Sequence, residues 1–223
     1  MYVDIKYRPA HALACISLQN GESVIAESGA MVGMSTNVQM QTQSSGGMMG
    51  GLKRMLGGES FFRNTFTAQG APGEVLVAQS VCGDISVLEM NQAGYFLQSG
   101  AFIACSPNVD IQTKVGGLKG FFSGAGMLVL KAVATSPGQL IVGAFGAIQE
   151  LTCNGSLVVD TGHIVAWDGT LNYKIAKSGS GWIASMLSGE GIVCEFQGQG
   201  RVWIQTRNAV EYGKLVGRML PPV

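Results

Sequence analysis

His11 and His163 are the only imidazoles in the chain. No second histidine and no C-x-x-C pair stands at the spacing a metal site requires, so no metal is expected. His163 lies in TGHIVAWD between Asp160 and Asp168, the carboxylates that could orient an imidazole for acyl transfer. No G-x-S-x-G elbow presents a nucleophile, so His163 is read as a histidine of a strand or turn. GGMMGGLK at 46–53 lacks the G-K-[ST] ending of a phosphate loop, and GEG at 189–191 and GQG at 198–200 fail as G-x-G-x-x-G because Cys194 and Trp203 follow. These glycines are turns, and no cofactor is implied. Glu59 and Glu190 occupy matching repeat positions, with Ala125 between them in the middle copy. Together with His163 they are the candidates for lining a central cavity, where paired carboxylates would do acid–base work in a ligand-binding protein or enzyme.

Apolar residues beside glycines recur at equivalent places: Met48, Met49, Leu52, Met55 and Leu56, then Leu118, Phe121 and Phe122, then Trp182, Ile183, Met186 and Leu187. Either each tip folds back onto the core, or the tips form a contact face for another subunit, a protein partner or a membrane surface. Lys53, Arg54, Lys119 and Lys177 nearby suit a lipid headgroup without requiring one.

Self-similarity reveals the elements that must position these groups. SGAMVGMSTNVQMQT at 28–42 lies over SGAFIACSPNVDIQT at 99–113, and GGLKRMLGGESFFRNTFTA at 50–68 lies over GGLKGFFSGAGMLVLKAVA at 116–134. A fainter third copy, DGTLNYKIAK at 168–177 and SGSGWIASMLSGEGIVCEF at 178–196, sets Gly169 opposite Gly29 and Gly100. Each copy then passes a glycine turn into GEVLVA, GQLIVG or GRVWIQ. Short alternating segments in a repeat of roughly 65 to 70 residues are strands. Asn20-Gly21 and Asn154-Gly155 read as tight hairpin turns, and glycines 29, 100 and 169 as corners where a side chain does not fit. One such unit cannot bury its faces alone, so three are expected to close about a pseudo-threefold axis around one core. The expected organisation is a single domain, 1–223, of three pseudo-repeats at about 1–82, 83–150 and 151–207. One packed C-terminal helix follows over 209–220, capped by Asn208 with Glu211 in a capping-box position.

The composition restricts function. With 14 basic and 14 acidic side chains for an accessible surface of about 9,700 Å², charge cover is thin, and a closed homo-oligomer, a trimer being favoured, is the expected remedy. Zero net charge makes nucleic acid an unsuitable partner. Cys15, Cys82, Cys105, Cys153 and Cys194 are odd in number and widely spaced, as expected of reduced thiols in cytoplasm. MYVDIKYRPA has neither the basic start and apolar run of an export signal nor the Arg-rich character of a transit peptide.

GGESFFRNTFTA at 57–68, the doubled SGA…NV…QT motif and GEGIVCEFQGQGRVWIQTR at 189–207 resemble the altered-inheritance-of-mitochondria protein 24 family across nearly the whole chain. The resemblance implies an all-β fold similar to the tryptophan RNA-binding attenuation protein, a double-stranded β-helix or sandwich built from three tandem units. Fungal members are associated with the mitochondrial inner membrane, and lack of a targeting segment implies a bacterial-type cytoplasmic protein, peripheral to a membrane at most. No catalytic residue carries over. The expected function is a non-catalytic oligomeric scaffold or binding protein, associating with a protein partner or membrane surface; a ligand-binding protein or enzyme with a central cavity is the alternative.

Overall fold

The computed structural model describes residues 1–44, 62–113, 128–177 and 192–221. These form seventeen strands and, at the C-terminus, a single α-helix. After an N-terminal strand β1 (Tyr2–Lys6), the chain makes β2 (Leu13–Leu18), β3 (Ser23–Glu27), β4 (Met31–Met34), β5 (Val38–Ser44), β6 (Phe62–Ala68) and β7 (Gly73–Val77). The middle stretch makes β8 (Ile85–Glu89), β9 (Tyr95–Gln98), β10 (Phe102–Cys105), β11 (Val109–Thr113), β12 (Val129–Ala134) and β13 (Gln139–Gly143). The last makes β14 (Ile148–Asp160), β15 (Ile164–Asp168), β16 (Asn172–Lys177), β17 (Ile192–Gln205) and α1 (Ala209–Gly217).

One antiparallel pairing scheme occurs in each stretch. In the first, β7 pairs with β2 and β4 in one layer, while β6 pairs with β3 and β5 in the other. In the second, β13 pairs with β8 and β10, and β12 with β9 and β11. In the third, β14 and β17 run unbroken through both layers, with β15 and β16 at their sides. The unbroken hairpin bends where Gly155 pairs with Gly198, both at positive φ (101° and 118°), a conformation glycine adopts without strain. A matching irregularity marks β4, β10 and β15, between residues 31 and 33, 102 and 104, and 164 and 166.

Side chains repeat the scheme. Ser35 Oγ accepts the Glu74 backbone N–H at 2.9 Å, Ser106 Oγ that of Gln139 at 2.9 Å, and Asp168 Oδ2 that of Arg201 at 2.7 Å. Asn37 Nδ2 donates to the Pro72 carbonyl, Asn108 Nδ2 to that of Pro137, and Thr170 Oγ1 to that of Gln199. Gly73, Gly138 and Gly200 lie where a Cβ would crowd these same groups.

The structure revises the sequence reading in several places. Asn20-Gly21 joins strands of different sheets, so it is a corner and not a hairpin, and Asn154-Gly155 lies inside β14. In the third stretch Gly162, not Gly169, stands opposite Gly29 and Gly100, since each of the three precedes the irregular strand β15, β4 or β10. Gly169 is nonetheless indispensable space, because a Cβ there would strike the Ala93 carbonyl; at Gly29 and Gly100 nothing stands within 4 Å. In place of one shared core there are three apolar clusters, one between the first and second sheets, one between the second and third, and one within the curled third sheet. Helix α1 forms with the expected cap, Asn208 Oδ1 accepting from Val210 N at 3.0 Å and Glu211 N at 3.2 Å. It is only loosely packed: Tyr212 meets the Phe145 ring, none of its residues is buried, and Glu211 pairs with Lys214 at 2.8 Å in place of closing a capping box.

Candidate functional site

His163 sits in the short turn 161–163 before β15, where Nδ1 shares a 2.8 Å hydrogen bond with the Gln205 carbonyl. Asp160 Oδ1 accepts the Gly162 N–H at 2.8 Å, which caps that turn. Asp168 is taken up by Arg201, through the backbone N–H and through the guanidinium at 3.1 and 3.2 Å. The two aspartates flanking His163 therefore serve the backbone and an ion pair, and no triad is assembled. His163 does line a groove of about 630 Å³ with Phe145, Asp160, Arg207, Glu211 and Tyr212, under the start of α1. His11 is exposed on the loop after β1. Glu59, Glu190 and all of the apolar tip residues, Met48 to Leu56, Leu118 to Phe122 and Trp182 to Leu187, lie outside the described residues. Among the described residues no three His, Cys, Asp or Glu groups are placed to hold a metal ion, and no helix is long and apolar enough to cross a membrane.

The second and third stretches meet at a polar cluster with aromatic walls. Arg201 lies 4.8 Å over the Trp203 ring and donates to Tyr95 Oη at 3.3 Å, while Tyr95 donates to the Glu89 carbonyl at 2.7 Å. Asp168 hydrogen bonds raise the Arg201 pKa above its ordinary value, and burial raises that of Tyr95. Both groups hold the protonation states they have in water near neutrality, so the cluster fastens a junction and offers no acid–base pair.

The two internal junctions are strand pairings. β3 pairs with β10, setting Ala26 opposite Ala104 and Ile25 opposite Cys105; β9 pairs with β15, setting Leu97 opposite Ala166 and Phe96 opposite Trp167. Each inserted strand is buried on both faces: β10 sends Phe102 and Cys105 to one cluster and Ala104 and Ile103 to another, and β15 divides likewise. The ladder stops at the ends. Among the described residues β4, the counterpart of β10 and β15, has no strand partner beyond β7, and Met31, Val32 and Met34 are exposed. The 156–160 part of β14, the counterpart of β3 and β9, has none on its outer side among the described residues, and Val158 is 61% exposed.

The outer face of β2, β4 and β7 continues the pattern. Ile85, Ile103 and Ile141 bridge the first internal junction, and Ile148, Val165 and Trp203 the second. The residues at those positions in the first stretch are Leu13, Val32 and Leu76, which enter none of the three clusters. The sequence reading looked for exposed apolar groups only at the glycine-rich tips. The signal for these edges was present in the first repeat block, where MVGM lies over FIAC: equally apolar strands, one of which has no neighbouring unit ahead of it to cover it.

The chain is 31% identical over 215 residues to an uncharacterised protein of Streptococcus pyogenes serotype M6, covering 92% of this chain and 86% of that one. The X-ray crystal structure of a Streptococcus pyogenes protein from a structural genomics consortium is similar at a TM-score of 0.82 and 29% identity, covering 98% of this chain and 99% of the other. The family model described as mitochondrial biogenesis AIM24 matches residues 3–207, a range that holds strands β2 to β17 and all but the first residue of β1. The chain belongs to the mitochondrial biogenesis AIM24 family.

Proposed function

We propose that the protein is a non-catalytic scaffold that works as a closed homo-oligomer, with β4 of one copy adding to the 156–160 edge of the next. One observation carries this reading: among the described residues, the pairing scheme ends in two edges with no strand partner, and these are the two halves of a junction the chain makes twice internally. Transferring the internal register places Gly33 of one copy opposite Val159 of the other, and Met34 opposite Val158. An unpaired apolar edge is an open template for association. The head-to-tail relation ends in a ring if the rotation closes, and the trimer is the expected number.

Light scattering over micromolar concentrations tests the reading. The wild-type chain is expected to give a discrete multiple of its 23.3 kDa mass, and Val32→Asp or Val158→Lys to reduce that mass to one chain's while keeping the far-ultraviolet spectrum. Both positions are at least 60% exposed in a single copy, so neither change should unfold it. A wild-type chain that stays monomeric throughout, or variants that retain the wild-type mass, refutes the proposal.

A further inference from the structure

We infer that the apolar face of α1 docks on residues 2–11 of the neighbouring copy, an inference that rests on assembly through the β4 and β14 edges. The connecting segments carry the argument. Residues 78–84 both end the first unit and begin the second, and residues 144–147 do the same between the second and third. These connectors are stacked by backbone hydrogen bonds: Ala12 N to the Gly83 carbonyl at 2.9 Å, Asp84 N to that of Gly146 at 2.8 Å, and Thr206 N to that of Ala147 at 3.1 Å. Arg8 adds a two-pronged ion pair to Asp84, at 2.8 and 2.9 Å, so the loop after β1 is fixed to the same stack.

Between copies, the role of one connector falls to two segments. The chain leaves its third unit through 206–208, and the next copy begins its first unit through 7–12. Both are tied to the place that a single connector fills inside the chain, so the element after one must lie beside the element before the other. Those elements are α1 and β1, the two parts of the fold with no counterpart in the repeated scheme.

Their surfaces suit each other. At 100° per residue, Tyr212, Leu215 and Val216 fall within one sector of α1, with Glu211 at its border and Lys214 beyond it, and Met219 follows in the turn after the helix. Tyr212, Leu215 and Met219 are 56%, 52% and 75% exposed, and Phe145 supports Tyr212 edge-on at 5.2 Å. In the N-terminal segment Tyr2 and Tyr7 are 68% and 70% exposed, each a large ring with nothing over it in one copy. A second copy is therefore the occupant that matches in position and in apolar area.

The test combines photo-crosslinking with a charged face. p-Benzoylphenylalanine at position 215, in an equal mixture of light and isotopically heavy protein, is expected to give adducts joining it to residues 1–11 of the other isotope. Leu215→Asp with Met219→Asp, both exposed, is expected to weaken assembly at least tenfold while the secondary structure is kept. If that double variant assembles as tightly as wild type while Val32→Asp still dissociates, the helix inference falls and assembly through the edges stands. Adducts confined to the same chain, to another α1, or to lipid when anionic vesicles are added also overturn it. A monomeric wild type removes both readings at once.

Discussion

Replacing Asp168 by serine separates two functions that the wild-type carboxylate combines. Its Oδ2 accepts the Arg201 backbone N–H at 2.7 Å, the bond that Ser35 and Ser106 make in the other two units, and it also holds the Arg201 guanidinium. Serine keeps the shared bond and loses the ion pair. Because the Arg201 side chain is 43% exposed, that pair is worth at most about 1 kcal/mol. Alanine removes both, leaving an N–H inside the fold without its acceptor at a further cost of about 1–3 kcal/mol. Asp168→Ala should therefore be less stable than Asp168→Ser by about 1–3 kcal/mol, Ser106→Ala should lose a similar amount from wild type, and Ser35→Ala, whose bond to Glu74 is exposed to water, should lose less. Urea unfolding measures this as a shift in midpoint at constant slope. Equal damage from Asp168→Ser and Asp168→Ala would mean that the ion pair, not the repeated bond, fastens the unit, and the equivalence drawn among the three positions would be wrong.

Burial pushes the Glu27 carboxyl up to about 7 from its ordinary 4.5. The fold favours the neutral acid, so ionisation opposes folding: the penalty is absent below pH 4.5, grows between 4.5 and 7, and is complete above 7. Glu27→Gln, with Arg63 still opposite on β6, should flatten the stability profile in that window and gain roughly 1 kcal/mol at pH 8 once solvent screening of a half-buried group is allowed for; parallel profiles for the two proteins contradict the assignment. Cys82 is exposed, while Cys15, Cys105, Cys153 and Cys194 are buried, with the Cys105 and Cys194 thiols pushed up to about 12 by burial. Ellman's reagent should thus meet one fast thiol in the native chain and four more after unfolding, and a second fast thiol would contradict the burial described.

The repeat, the strand character and the Asn208 cap were legible because each depends on residues close in sequence. Alternation marks a half-buried strand wherever it occurs, and an Asn beside a helix start satisfies free N–H groups with no help from elsewhere. The corners show where legibility ends. Asn20-Gly21 announces a change of direction, but whether the next strand returns beside the last or crosses to another sheet depends on which distant strand offers it an edge, here β6 and β10 for β3. The faint third copy sets Gly169 opposite Gly29 in the sequence, but the irregularities of β4 and β15 show that Gly162 holds the place.

From sequence alone came three related β-units, the want of catalytic groupings, and a surface needing cover. The tertiary structure decided where the cover is missing. MVGM and FIAC are alike as residues, yet β10 is enclosed between two sheets while β4 stands at the end of the ladder, with Val32 60% exposed. Composition sets how strongly a strand gains from burial, but only the position of its neighbours determines whether that burial is completed within one chain.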